Sequence, residues 1–181
     1  CKASTVHGPL ECSHFKKLPD EDKLQIRLRF QQYMPIDSFV VGFVFRNQLR
    51  KSVPNLLEGY AKFQKRLRKE QPEKNLKLLL HTSWNEGWNI HKLAEEYGIS
   101  TNDILTTYVC KHCKEYGVFP YAGEDKDCPW CKASKALGTT STGAGVSEQQ
   151  LNEIYNLMDV YCHPFTSGGQ EIPIQEAKLC E

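Results

Sequence analysis

No run of apolar residues in this chain approaches the ~18 that a membrane-spanning helix needs, and no signal peptide precedes the first periodic stretch. Charge of one sign does not accumulate either. Lys and Arg number 23 against 22 Asp and Glu, a formal net charge of +1, which argues against a nucleic-acid-coating protein, an acidic tail or a chain kept unfolded by self-repulsion. The one basic stretch, residues 62–77, sets Lys62, Lys65, Arg66 and Lys69 at helical spacing and reads most simply as a solvated face. No internal repeat is present. A secreted disulfide framework is also disfavoured, because four of the eight cysteines form two CxxC pairs and the others are scattered singly. That distribution favours metal ligation in a reducing compartment, so a cytoplasmic location is expected. The chain opens in mid-segment and stops inside a predicted helix, so it looks cut at both ends and a missing targeting sequence weighs little.

What the chain does have is an alternation of strands and helices. Residues 1–20 lack periodicity, carry Gly8, Pro9 and Pro19, and read as a linker. Residues 22–33 suit a helix packed on the outside, with Leu24, Ile26, Leu28 and Phe30 too dense for a clean stripe. Residues 39–45 (FVVGFVF) are apolar, β-branched and aromatic, suited to a strand buried on both faces. Pro54 starts a helix with Leu56, Leu57, Tyr60, Phe63 and Leu67 on one stripe, ending before Pro72. A second strand is predicted over 76–81, a short helix over 89–97 closed by Gly98, and a third strand over 104–109. Residues 138–145 (GTTSTGAG) read as a flexible connector. Ser147 N-caps a helix with Glu148 and Glu153 near its start and Leu151, Ile154, Tyr155 and Met158 as its buried stripe. A fourth strand over 160–163 follows, then a helix from Pro173.

This order implies right-handed βαβ crossovers and an α/β fold, a Rossmann-like parallel sheet with flanking helices. The expected division is a linker and first helix (1–38), the first part of the Rossmann-like domain (39–109), an inserted zinc-ribbon knuckle (110–135), and the second part of the domain (136–181), apparently truncated. Ligands of such sheets bind beyond the carboxyl ends of strands where strand order reverses, which directs attention to the loops after the first and fourth strands.

The fourth-strand region, DVYCHPFTSGGQEIPIQEAKLCE from residue 159 to 181, carries the densest signal. A short apolar strand runs into Gly168 and Gly169, and Pro173 opens a helix with Glu176 in its first turn. Glycines let backbone approach a ligand, Pro suits the first helical position, and free N–H groups at the dipole's positive end attract phosphate. Together they suit an anion with a polyol attached; they also suit an ordinary βα turn with nothing bound. The loop after the first strand, 46–51 (RNQLRK), sets Arg46 directly after the strand and Lys51 just before the next helix. An Arg fork and a compact Lys charge suit a diphosphate. Alternatively both are surface charges at a helix start, where the dipole mildly disfavours cations.

Taken in order, these segments resemble the carboxy-terminal, donor-binding half of GT-B glycosyltransferases of the large retaining family 4. His7 and Gly8 through Phe15 resemble its hinge motif, and Arg46 and Lys51 stand where the family has its diphosphate-binding Arg and Lys, at the same separation. Residues 78–99 resemble its second strand and helix, 145–165 the helix and strand before its active-site loop, and 167–177 (SGGQEIPIQEA) its Glu-Gly-Phe-Gly-Leu-Pro-x-x-Glu-Ala segment. The likeness covers most of the chain outside the cysteine module. It implies a hexosyltransferase-type enzyme half that binds a nucleotide-sugar. Arg46 and Lys51 would neutralise the leaving nucleoside diphosphate, amides around Gly169 and Gln170 would face the donor sugar and phosphates, and Glu176 would bond the ribose hydroxyls. In that alignment Gly168 takes the place of the family's first glutamate and Glu171 falls out of register, so either a sugar contact is made differently or activity is altered. The amino-terminal, acceptor-binding domain would lie outside this chain, which alone is expected to bind a donor weakly and turn over little.

Cys110, Cys113, Cys128 and Cys131 form C-x2-C-x14-C-x2-C, two thiolate pairs on tight knuckles that suit a closed, structural Zn²⁺ site; a pair of redox CxxC motifs is the other reading. His112 lies between two ligands of the first knuckle and reads as a bystander rather than a substitute ligand. Tyr116, Phe119, Tyr121 and Trp130 either shield the metal or stack on bases. Lys111, Lys114, Lys126 and Lys132 are offset by Glu115, Glu124, Asp125 and Asp127, so nucleic acid is not the expected partner. Two further readings compete with the enzyme half: a zinc-ribbon binding module for nucleic acid or protein on an inactive scaffold, and a glycosyltransferase-like domain that has lost catalysis.

Overall fold

A computed structural model describes residues 13–167 and 171–181. Helix α1 (Asp20–Arg29) starts on Asp20, Glu21 and Asp22 and ends on Arg27 and Arg29, charges that complement its dipole. It begins and ends earlier than the spacing predicts, and Phe30 and Met34 are buried in the turns beyond it. Strand β1 (Phe39–Val44) leads through a 3-10 turn (Leu49–Lys51) into helix α2 (Val53–Glu70), which carries Pro54 in its first turn. Strand β2 (Leu76–His81) and helix α3 (Ile90–Glu96) follow, the helix capped by the Asn89 side chain accepting from the Lys92 N–H. Strand β3 (Ile104–Cys110), strand β4 (Tyr116–Pro120) and strand β5 (Leu137–Thr139) come next. Helix α4 (Glu148–Asn156) opens on a capping box between Ser147 and Gln150, and strand β6 (Val160–Tyr161) and helix α5 (Ile172–Leu179) complete the order.

The six strands make one sheet ordered β4–β3–β2–β1–β6, with β5 also paired to β3. β1 runs parallel to β2 and β6, and β2 runs parallel to β3. β4 and β5 are antiparallel to β3, so the expected purely parallel sheet is mostly parallel. The reason lies in the insertion. Spacing of the cysteines predicts its knuckles but not that β4 within it and β5 directly after it continue the sheet. β3 faces β2 with Ile104 to Thr106 and faces β5 with Tyr108 to Cys110, while β4 occupies its other edge. β5 therefore stands in line with β2 and brings the following residues to the carboxyl end of that strand. The stretch read as a flexible connector thus opens in a strand and carries a Ser141–Ala144 bridge.

Both faces of the sheet are covered. Val41, Leu78, Leu80 and Ile104 pack with Leu57 and Tyr60 of α2 and Ile90 of α3. Val40, Leu79 and Leu105 pack with Ile26 of α1 and Ile154 of α4. This is the burial a strand buried on both faces requires. Gly42 is where β1 is most tightly covered, since a Cβ there would lie 2.1 Å from the Met158 Sδ and 2.3 Å from its Cγ. Gly42→Ala is expected to cost on the order of 1–3 kcal/mol through overpacking, seen as a lower urea midpoint at unchanged m value. Among the described residues no helix is long and apolar enough to cross a membrane.

Candidate functional site

From β1 the chain moves outward through β2 and β3, then returns to place β6 on the other side of β1. Strand order reverses there, the position at which open α/β sheets bind ligands. A cavity of about 390 Å³ opens beside it, lined by Arg46 after β1, His81 at the end of β2, Glu86 from the next loop, Thr140 and Thr142 beyond β5, and Glu176 of α5. An apolar groove of about 540 Å³ between α2 and β6 and a polar cleft of about 490 Å³ beside α1 and α4 include neither Arg46 nor Glu176.

Arg46 points outward, its Nε donating to the Glu86 carboxylate at 3.1 Å. The loop carrying Glu86 is held by Asn47, a buried residue that sequence reasoning passed over. Its Nδ2 donates to the Glu86 and Trp88 carbonyls, and its Oδ1 accepts from the Trp88 N–H at 3.1 Å. Gly87 fits above it at φ +62, where a Cβ would lie 2.1 Å from the Asn47 carbonyl oxygen. The sequence hint was a short amide between two cations, directly after a buried strand. His81 has no hydrogen-bond partner at its buried Nδ1 among the described residues, and burial pulls its pKa from 6.5 down to about 4. Glu176 accepts from the Tyr155 hydroxyl at 2.7 Å; burial raises its pKa against that bond's opposing effect. Gly168, Gly169 and Gln170 lie outside the described residues, as does the start of the hinge-like segment at His7 and Gly8.

Lys51 does not line the cavity. Its side chain is 5% exposed, with Nζ at 2.5 Å from the Glu171 carboxylate and 3.3 Å from His163 Nε2. His163 Nδ1 lies 2.7 Å from the Tyr161 oxygen, whose hydroxyl also reaches the Val44 carbonyl at 3.2 Å, and His163 Nε2 faces both Lys51 Nζ and, at 3.2 Å, the Glu171 carboxylate. Burial and then the Lys51 charge lower the His163 pKa, in keeping with a neutral ring. The Lys51 hydrogen bond holds Glu171 below the usual carboxylate range despite burial, and Arg50 adds a 3.4 Å contact. Glu171 directly precedes Ile172, which lines the cavity, so the Lys51 group borders the cavity rather than opening into it.

Three of these shifts share a sign: His81, His163 and Glu171 bind a proton less readily folded than unfolded, so their contribution to stability is full at neutral pH and falls on acidification, while the raised Glu176 acts in the opposite direction. The fall begins near pH 6.5 with the histidines, and His81 contributes on the order of 3 kcal/mol by pH 4. Urea midpoints measured from pH 7.5 to 4 are expected to decline, with His81→Gln showing a flatter decline.

The second constellation is the cysteine group. The sulfurs of Cys110, Cys113, Cys128 and Cys131 all lie within 4.8 Å of one another. Cys110 and Cys131 are 3.7 Å apart, as are Cys113 and Cys128. A tetrahedron of sulfurs at the usual Zn–S length of about 2.3 Å has edges of about 3.8 Å, so the donor set fits. The two knuckles are built alike. Cys110 Sγ accepts from the His112 and Cys113 N–H groups, Cys128 Sγ accepts from the Cys131 N–H, and Lys114 and Lys132 follow at φ 64 and φ 62. All six described cysteines are free. Tyr116 is buried, Phe119 stacks on Tyr108, Tyr121 stacks on Trp84, and Trp130 stays 42% exposed.

Fold and site together define a mixed α/β protein with a mostly parallel six-stranded sheet, flanking helices and a four-cysteine group positioned to hold a metal ion. No family model matches the chain, and no curated protein matches it.

Proposed function

We propose that this chain is the donor-binding half of a retaining GT-B glycosyltransferase, a Rossmann-like domain that holds a nucleotide-sugar by its diphosphate and carries a structural zinc ribbon. The observation that supports it most is the meeting of Arg46, Glu176 and the opening of α5 at one cavity where strand order reverses, with Lys51 alongside. Arg46 would take the diphosphate through its planar guanidinium, and Lys51 would add charge once Glu171 turns aside or shares the ligand's hydroxyls. Cations there stabilise the negative charge that develops on the departing diphosphate. Glu176, half-buried and hydrogen-bonded, suits a ribose diol. Zinc in a closed four-thiolate site supplies folding energy and no open coordination position.

Calorimetric titration with UDP, GDP and ADP tests the reading. Saturable binding of one of them is expected, weakened about tenfold or more by Arg46→Ala, as for loss of one charge-assisted bidentate contact. Absence of saturable binding with all three removes the enzyme reading. The exposed Trp130 favours the second reading, a ribbon that contacts nucleic acid or protein, and salt-sensitive binding to oligonucleotides would promote it.

A further inference from the structure

The cysteine module and the cavity are joined through one hydroxyl. Thr139, the last residue of β5, is buried, and its Oγ1 donates to the Glu124 carboxylate while accepting from the Trp84 N–H at 3.3 Å. The same carboxylate accepts from the Thr139 N–H at 2.7 Å. Gly138 leaves room for it, since a Cβ there would stand 2.7 Å from the Glu124 Oε2. On the module side, Glu124 is tied toward Cys128 by the antiparallel bridge between Lys126 and Leu137. On the cavity side, Ser83 next to Trp84 and Thr140 next to Thr139 both line the space, whereas Thr139 and Glu124 do not. A parallel tie runs through rings: Tyr121 of the module lies on Trp84 with centroids 4.3 Å apart and planes at 3°.

We infer that Thr139 and Glu124 are positioning residues through which the metal-held module sets two walls of the cavity, so that metal loading and cavity binding are coupled. The module is then more than a decoration on the sheet edge. Without the metal, the Lys126–Leu137 bridge keeps the pairing of Leu137 with β3 and the Asp127–Lys135 contact but loses its anchor at Cys128, because Cys110 and Cys128 are part of the small apolar cluster around Leu137. Loosening that bridge frees Glu124, then Thr139, then both walls. The two ties are independent, one polar and one aromatic, and they converge on the same pair of loops. The inference rests on the donor-binding reading only for the identity of the ligand; the coupling itself concerns the loops.

The test follows amide hydrogen exchange in residues 83–86 and 139–142, and nucleotide affinity, in wild type, Thr139→Val, Thr139→Ser and Glu124→Ala, each checked for metal content. Thr139→Val and Glu124→Ala are expected to keep the metal yet lose protection in both loops and about tenfold in nucleotide affinity, while Thr139→Ser restores both because it restores the hydroxyl. Stripping the metal from wild type should remove the same protection. If Thr139→Val does not fold, Glu124→Ala reads the link from the module side. Unchanged exchange in both loops, in the variants and in metal-stripped wild type, overturns the inference. If wild type binds no nucleotide, the donor-binding reading fails separately, and the exchange data still decide the coupling.

Discussion

Removing the metal with a strong chelator, or replacing Cys128 with Ser, is expected to unfold the cysteine module while the centre of the sheet persists. The apolar cluster of the module consists of Tyr108, Cys110, Cys128, Ala136 and Leu137 with a few partly exposed neighbours, too little to order residues 110–135 unaided. Metal binding in small zinc peptides contributes on the order of 10–16 kcal/mol, comparable with the whole stability of a domain. Its loss need not unfold everything, because β1 and β2 are covered on both faces by helices outside the module. Exchange protection should therefore fall over residues 110–139, least in β4, and survive at Val41, Gly42, Leu79 and Leu80. Tyr116 opposes the loss, since it packs on Phe30 and donates to Glu153, and it is expected to keep β4 partly docked. Elemental analysis should give one zinc per folded chain; a value far below one, in protein with an intact module, would count against the assignment.

Lys51→Ala is expected to cost on the order of 3 kcal/mol, whereas Arg46→Ala should be nearly neutral for stability. The contrast follows from exposure. Removing Lys51 takes the nearest cation from Glu171, whose side chain is 11% exposed, and leaves it only the 3.4 Å Arg50 contact and a His163 whose pKa burial lowers, among the described residues. Arg46 pairs with Glu86 at the surface, and its own side chain is 57% exposed. The double variant Lys51→Met/Glu171→Met should recover much of the loss, because a buried ion pair is costly to break and cheap to replace whole. On the proposed donor-binding reading, both single variants should nonetheless weaken nucleotide binding. A Lys51→Ala protein as stable as wild type would mean that the Glu171 contact is not made in solution.

Much of the fold could be read from local pattern. The apolar runs of β1, β2 and β3 and the stripe of α2 depend on neighbours two to four places away, and the observed elements lie close to the predicted ones. Two elements depart from the local pattern: the helix expected at 22–33 is shifted, and the fourth strand shrinks to Val160 and Tyr161. At the cavity, Arg46 and Glu176 were legible because each sits at a fixed offset from a strand end or a helix start. His81, Asn47 and His163 were not, since a lone polar residue at a strand end carries no periodicity. In the sequence Glu171 stands out only as out of register, though it is the residue that holds Lys51.

By itself the sequence determined the alternation of strands and helices and the four-thiolate donor set, because both are written in spacings of a few residues. Only the tertiary structure decided that a strand of the insertion and the one directly after it extend the main sheet, and that Lys51 meets a carboxylate 120 residues away instead of opening into the cavity. Pairings of that range depend on which strand edge is left vacant and which buried charge lacks a counterion. Those conditions exist only once the chain has closed on itself.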